Sequence, residues 1–241
     1  MNAFFVKLNE SKTNIIVFAP KRVEKDININ GLFIDSECIR FSKVVENLGV
    51  LLDNKLTFKQ QITKCTQSCY MSIRKISSVK SFLDSNHRKV LVTALVLSQL
   101  DYCNSLLYNI DTTLLNQLQR VENCAAKLIF NRRKYDYGLS SLYNSLHWLQ
   151  IKQRIIFKIL LLVHKCIYSL APIYLRELIT LSYNFSRTGN MLTVKTRYAS
   201  SDGAFSVCAP HLWNSLPTML KFEGSTVQFK RKLKEYLFNS L

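Results

Sequence analysis

The apolar residues change their period at Thr57, and that switch limits the folds open to the chain more than any other feature. From there Phe58, Ile62, Cys65, Cys69, Ile73, Ile76, Val79 and Leu83 follow one another at steps of three and four. That spacing puts them on one face of a helix. Thr57 and Gln60 form a capping-box pair at its start. A second helix is predicted over about 86–107, with Asp84 and Ser85 as N-cap candidates. Its VLVTALVLSQL run is apolar on most sides, which places it in a core. A third is predicted over about 112–130, capped by Asp111, and the basic loop NRRKYDYG (131–138) ends it at Gly138. Three consecutive helices with short joints predict a bundle.

Before the switch the pattern is that of strands and turns. NIIVFAP (14–20) is a β-type run closed by Pro20, and DININGLFID (26–35) alternates polar and apolar around Gly31, which predicts a hairpin there. CIRFSKVVENLGVLLD (38–53) holds one or two more strands with Gly49 inside, where a glycine marks a bulge or a close backbone approach. After Gly138 the helical period returns: a short helix up to Trp148, a long apolar one over about 151–170, and a short one at 174–179. One strand is predicted at 191–198 in an otherwise polar stretch. A second tryptophan segment, HLWNSLP (211–217), comes next, and Ser225 with Gln228 forms a capping box before the amphipathic helix 227–238. The expected fold class is α+β: a small N-terminal β element (1–56), a helical bundle (57–138) and a mostly helical C-terminal region (139–241).

With 241 residues, 48% of them hydrophobic, the chain is long and apolar enough to bury a core in one large domain or two small ones. Its seven cysteines are odd in number, and MNAFFVKLNE is too short and polar for a signal peptide. Free thiols in a reducing, intracellular compartment, nuclear or cytoplasmic, are therefore expected. The longest apolar stretches, LVTALVL (91–97) and IIFKILLLV (155–163), fall well short of the roughly 20 residues that cross a bilayer, so no membrane partner is expected. The formal net charge of +17 points to a polyanion, and nucleic acid is the partner it fits best.

The cations are grouped. No acid lies between Asp53 and Asp84, and that interval carries Lys55, Lys59, Lys64, Arg74, Lys75 and Lys80. With the apolar stripe turned inward, Lys64, Arg74 and Lys75 project from the other faces, as a row of cations against a phosphate backbone would. A solvated lysine face is the alternative. A second group, Arg132, Arg133 and Lys134 with Tyr135 and Tyr137, interleaves cations with rings, which suits single strands whose bases stack. A third, Lys230, Arg231, Lys232 and Lys234, fits an ordinary polar helix face equally well.

Other chemistries lack their residues. Two-metal phosphoryl transfer needs converging carboxylates. Asp26, Asp35 and Asp53 stand apart, no Asp-Asp pair occurs, and Asp53 reads as a turn or cap residue. Cys65 and Cys69 have zinc-ligand spacing on a helix, but no second pair accompanies them and they fall on the apolar stripe, so core packing is the expected role. Cys103, Cys124, Cys166 and Cys208 also sit in apolar contexts. His147 and His164 have no nucleophile pattern beside them and read as structural. The six glycines make no phosphate loop. No cofactor, metal or small-molecule substrate is expected.

Several strings in order resemble the C-terminal third of reverse transcriptases of LINE-type (non-LTR) retrotransposons of the jockey and chicken-repeat kind. KLNESKTNIIVF (7–18) is similar to the stretch just after the catalytic hairpin of the palm, and VENLGVLLDNKLTFKQQI (45–62) to the passage from the last palm strand into the thumb. SQLDYCNSLLY (98–108), LNQLQRVENCAAKLI (115–129) and LHWLQIKQRIIFKILLLVHK (146–165) resemble the thumb and the region C-terminal to it. GAFSVCAPHLWNSLP (203–217) and FKRKLKEYLF (229–238) resemble the end of the reading frame. The resemblance implies that 1–56 is a palm remnant and that 57–138 is a thumb gripping RNA template and DNA. It also implies a departure: the family's paired aspartates precede the first string, and Met1 lies only a few residues before it. The expectation is a truncated remnant without polymerase activity, which binds RNA or DNA nonspecifically through Lys59, Lys64, Arg74, Lys75, Lys80, Arg132, Arg133 and Lys134. The alternatives are a non-functional product, a helical protein-interaction module, or a mis-started form of a longer RNA-directed DNA polymerase whose Met1 is internal.

Overall fold

The computed structural model describes residues 9, 12–19, 31–34, 37–133, 135–195 and 202–240. They form an α+β structure in two compact units, 1–64 and 65–241.

The first unit holds two separate antiparallel hairpins. Strand β1 (Gly31–Ile34) pairs with β2 (Glu37–Arg40), Gly31 opposite Arg40. Gly31 is thus a strand residue and not the turn that its place in DININGLFID predicts. A Cβ there would lie 2.5 Å from the Ile39 carbonyl oxygen, so the partner strand's close approach accounts for the glycine. Strand β3 (Val44–Asn47) pairs with β4 (Val50–Asp53), Asn47 opposite Val50. The connection is the two-residue turn Leu48-Gly49, with φ of 47° and 79°. Positive φ at both central positions matches the twist of the flanking strands. Gly49 therefore makes a turn and is neither inside a strand nor a bulge. The NIIVFAP run forms no strand over 14–19; Ile15 makes one parallel bridge to Phe41, and Pro20 lies outside the described residues.

Helix α1 (Lys59–Val79) begins where the period changes. Its start is held by Asp53 and not by the Thr57–Gln60 pair. The Asp53 carboxylate accepts from the amides of Lys55 (3.1 Å), Thr57 (3.0 Å) and Phe58 (2.7 Å) and from the Thr57 hydroxyl (3.1 Å). With its hydroxyl turned to Asp53, Thr57 reaches the Lys59 amide only at 3.5 Å. Burial raises the Asp53 pKa, and these bonds more than offset that, leaving it below the ordinary carboxylate value.

In the second unit, α2 (Ser85–Val92) is capped by Asp84, which accepts from the His87 amide at 2.7 Å. It runs on through a π-helical turn, Thr93–Leu97, into Ser98–Asp101 and then a 3-10 turn, Asn104–Leu107. Val92, Val96, Leu97 and Leu100 are buried, while Val90 and Leu95 face solvent. This helix is therefore buried on one face, not on most sides. Helix α3 (Thr112–Ile129) is capped by Asp111, which accepts from the Thr113 amide at 2.7 Å. Helix α4 (Leu139–Leu146) ends just before Trp148, and α5 (Ile151–Ile167) is the centre of the unit. It packs against α3, the Asn104–Leu107 turn, α6 (Phe205–Asn214) and α7 (Thr226–Asn239). Residues either side of 138 thus share one core, and no packing boundary falls there.

Trp213 and Phe229 are fully buried, and the Trp213 indole donates to the Gly189 carbonyl at 2.8 Å. His164 stacks on Phe229 at 4.2 Å, and its Nε2 lies 2.7 Å from the Glu223 carbonyl oxygen, which makes it a core residue. Cys69 is buried beside the Val96 carbonyl, whereas Cys103 is an exposed turn residue with φ of 50° and not an apolar-context thiol. The strand predicted at 191–198 reduces to one bridge, Leu181 to Met191, with the Leu192 amide donating to the Thr180 carbonyl at 2.9 Å; residues 192–195 form no strand, and 196–198 lie outside the described residues. At Ser225 half of the predicted capping box forms: its hydroxyl accepts from the Gln228 amide at 3.5 Å, and the Gln228 side chain accepts from Arg231 instead.

Candidate nucleic-acid interface

Lys59, Lys64, Arg74 and Lys75 are all exposed on α1, and Lys80 is exposed in the 3-10 turn directly after it. At about 100° per residue Arg74 and Lys75 point away from the buried positions Cys69 and Ile76. Lys64 differs from the others. Its ammonium meets Glu46 at 3.0 Å, with both side chains half exposed. The interval 54–83 is acid-free in sequence, but β3 brings a carboxylate to it. Arg74, Lys75 and Lys80 have no carboxylate partner among the described residues.

The structure adds a cation that the sequence pattern does not reveal. Arg120 is exposed on α3 and lies close enough to Tyr70 of α1 to pull its phenol pKa down. That pull is outweighed by burial and then by Cys124, so the phenol ends above its ordinary value. Arg120 also has no carboxylate partner among the described residues. In sequence Arg120 is masked by Glu122, two positions later, which breaks the run of charge. In space Glu122 is on the opposite, buried side of α3.

Arg132 and Arg133 continue from the end of α3 and are exposed. Tyr135 is 80% and Tyr137 100% exposed. Asp136 folds back on this loop and accepts from the Arg133 amide at 2.8 Å, so a carboxylate sits within the cluster. Lys134 lies outside the described residues. In the third group Lys232 is paired with Glu223 at 2.5 Å.

Behind this surface lies a buried ionic network, also invisible in the sequence. Arg154 of α5 meets Asp101 through two bonds, Nε to Oδ1 at 2.9 Å and Nη2 to Oδ2 at 2.5 Å. Its Nη1 lies 3.6 Å from Glu122 Oε1, which has no hydrogen-bond partner among the described residues. Glu122 Oε2 accepts from the Tyr143 hydroxyl at 3.1 Å and from Gln119 at 3.2 Å. Burial pushes the Glu122 pKa up to about 7 against the pull of Arg154, Tyr143 and Gln119. Lys221 is buried too, and its ammonium donates to Asn190 (2.9 Å) and to the Asn214 carbonyl (2.8 Å).

Among the described residues no group of three His, Cys, Asp or Glu side chains is placed to hold a metal ion, and no helix is long and apolar enough to cross a membrane. No family model, curated protein or solved structure matches the chain.

Proposed function

We propose that this chain is a non-catalytic remnant of a LINE-type reverse transcriptase, intracellular in location, that binds RNA or DNA through its thumb without sequence preference. The observation that carries the reading is the set of exposed cations Arg74 and Lys75 on α1 and Arg120 on α3, without carboxylate partners among the described residues, with Arg132 and Arg133 exposed just after α3. Cations so placed neutralise phosphates and release counterions, and phosphate contacts carry no sequence information. A second support is that three of the strings on which the resemblance rests meet in the fold. SQLDYCNSLLY supplies Asp101, LNQLQRVENCAAKLI supplies Glu122, and LHWLQIKQRIIFKILLLVHK supplies Arg154.

The experiment is fluorescence anisotropy with labelled RNA and DNA single strands of several unrelated sequences, beside a primer-extension assay with deoxynucleotides and magnesium. Comparable affinities across sequences and no extension are expected. Absence of binding at low salt, or extension that survives repurification, would overturn the proposal. A protein-interaction module is the second reading, and one observation favours it: Leu170, Ile173 and Tyr174 are 62%, 66% and 65% exposed in adjoining turns.

A further inference from the structure

The basic group on the last helix has a geometry that its sequence did not show. Arg231, Lys234, Glu235 and Phe238 recur at steps of three and four, so they share one face of α7. With His147 and Asn239 they line an open cleft of about 420 Å³. That volume falls in the range of small-molecule sites, about 300–1,000 Å³. His147 comes directly after α4 with φ of 50°, and its ring lies 5.7 Å from that of Phe238 at 45°. The two rings make an aromatic wall.

The other wall is cationic. Arg231 and Lys234 are exposed, and Arg154 and Lys89 are close enough to act on Lys234. Burial first, then these two cations, push the Lys234 pKa down. An anion in the cleft would relieve that repulsion. Glu235 is the one carboxylate on the lining among the described residues, and it offers an acceptor to a base amine or a sugar hydroxyl.

We propose that this cleft binds a nucleoside phosphate, with the base against Phe238 and His147 and the phosphate on Arg231 and Lys234. The site is separate from the α1 surface and does not rest on it. Its ligand is either a free nucleotide or one nucleotide of a strand; both present the same ring and the same phosphate.

Titration calorimetry on the full chain tests this with AMP, adenosine, inorganic phosphate and the oligonucleotide A6. AMP should bind more tightly than adenosine or phosphate. R231Q/K234Q, both at exposed positions, should weaken AMP at least about tenfold. F238L should weaken AMP about fivefold or more and leave phosphate unchanged. R74Q/K75Q should leave AMP unchanged, which separates this site from the α1 surface. If A6 displaces AMP and binds more tightly, the ligand is a strand; if AMP binds as tightly or more, it is a free nucleotide. AMP no tighter than phosphate and adenosine in the wild-type chain, or AMP binding unchanged in R231Q/K234Q, would overturn the proposal whatever the other variants do.

Discussion

Arg154 and Asp101, 53 positions apart in sequence, meet in a two-bond ion pair whose side chains are 16% and 32% exposed. The pair ties α5 to the end of the helical run that begins at Ser85. It also provides the countercharge nearest to Glu122, whose Oε1 has no hydrogen-bond partner among the described residues. Replacing Arg154 by Met removes one cation and leaves two carboxylates facing each other. Breaking a buried pair costs about 3–5 kcal/mol, and the partial exposure of Asp101 lowers that to about 2–3 kcal/mol here. Urea denaturation of R154M should show a midpoint shifted down by the corresponding amount; an unchanged midpoint would contradict the role given to this pair.

The contribution of Glu122 to stability should fall as pH rises toward neutrality. Burial raises the folded pKa of Glu122 from 4.5 to about 7. Between these values the folded chain keeps a proton that the unfolded chain has lost, so this carboxyl's contribution declines across that window and is constant above it. The full decline is on the order of 3 kcal/mol. E122Q keeps an acceptor for Tyr143 and Gln119 and removes the titration. Chemical denaturation between pH 5 and pH 8 should show a steeper fall for the wild type than for E122Q, and parallel curves would rule the mechanism out.

Asp53 carries the start of α1. D53A should cost about 1 kcal/mol, the worth of a helix cap, and should speed amide exchange at Thr57 and Phe58. The pKa of Asp53 is depressed, so its contribution is present above the ordinary carboxylate value and is lost as pH falls through the folded value. Exchange rates at Thr57 and Phe58 that are the same in D53A and the wild type would show that the cap lies elsewhere.

Residues 37–53 should exchange faster than residues 90–100. Among the described residues four strands make two separate two-stranded hairpins, and such pairs are marginal alone in water. Leu32, Phe33 and Leu48 are exposed on them. Hydrogen exchange followed by mass spectrometry reads both segments in one experiment. Slower exchange over 37–53 would reverse the order of stabilities.

The long helices were legible because burial writes a period into them. The stripe from Ile62 to Ile76 and the caps Asp84 and Asp111 are local signals, and the structure places α1, α2 and α3 on them, with Val79 exposed at the end of α1. The hairpins were less legible. Gly31 and Gly49 both read as punctuation, and only strand pairing decides that the first sits under a neighbouring backbone and the second in a turn. Of the candidate surface, Arg74 and Lys75 were found from an acid-free interval. Glu46 beside Lys64, and Arg120 within electrostatic reach of Tyr70, depend on the tertiary fold, which spacing along the chain does not encode. For the same reason Asp101, Glu122 and Arg154 looked like single charges on three helices.

The central claim, phosphate contact through the α1 and α3 cations, is tested most directly by the salt dependence of binding to a duplex DNA. Removing one phosphate-binding cation should flatten the slope of log affinity against log salt by about 0.9. R74Q/K75Q/R120Q is expected to flatten it by about two or more and to weaken binding at every salt concentration. K64Q should change it little, because Lys64 is already paired with Glu46. A slope unchanged in the triple variant, or a larger change in K64Q than in the triple variant, would contradict the account.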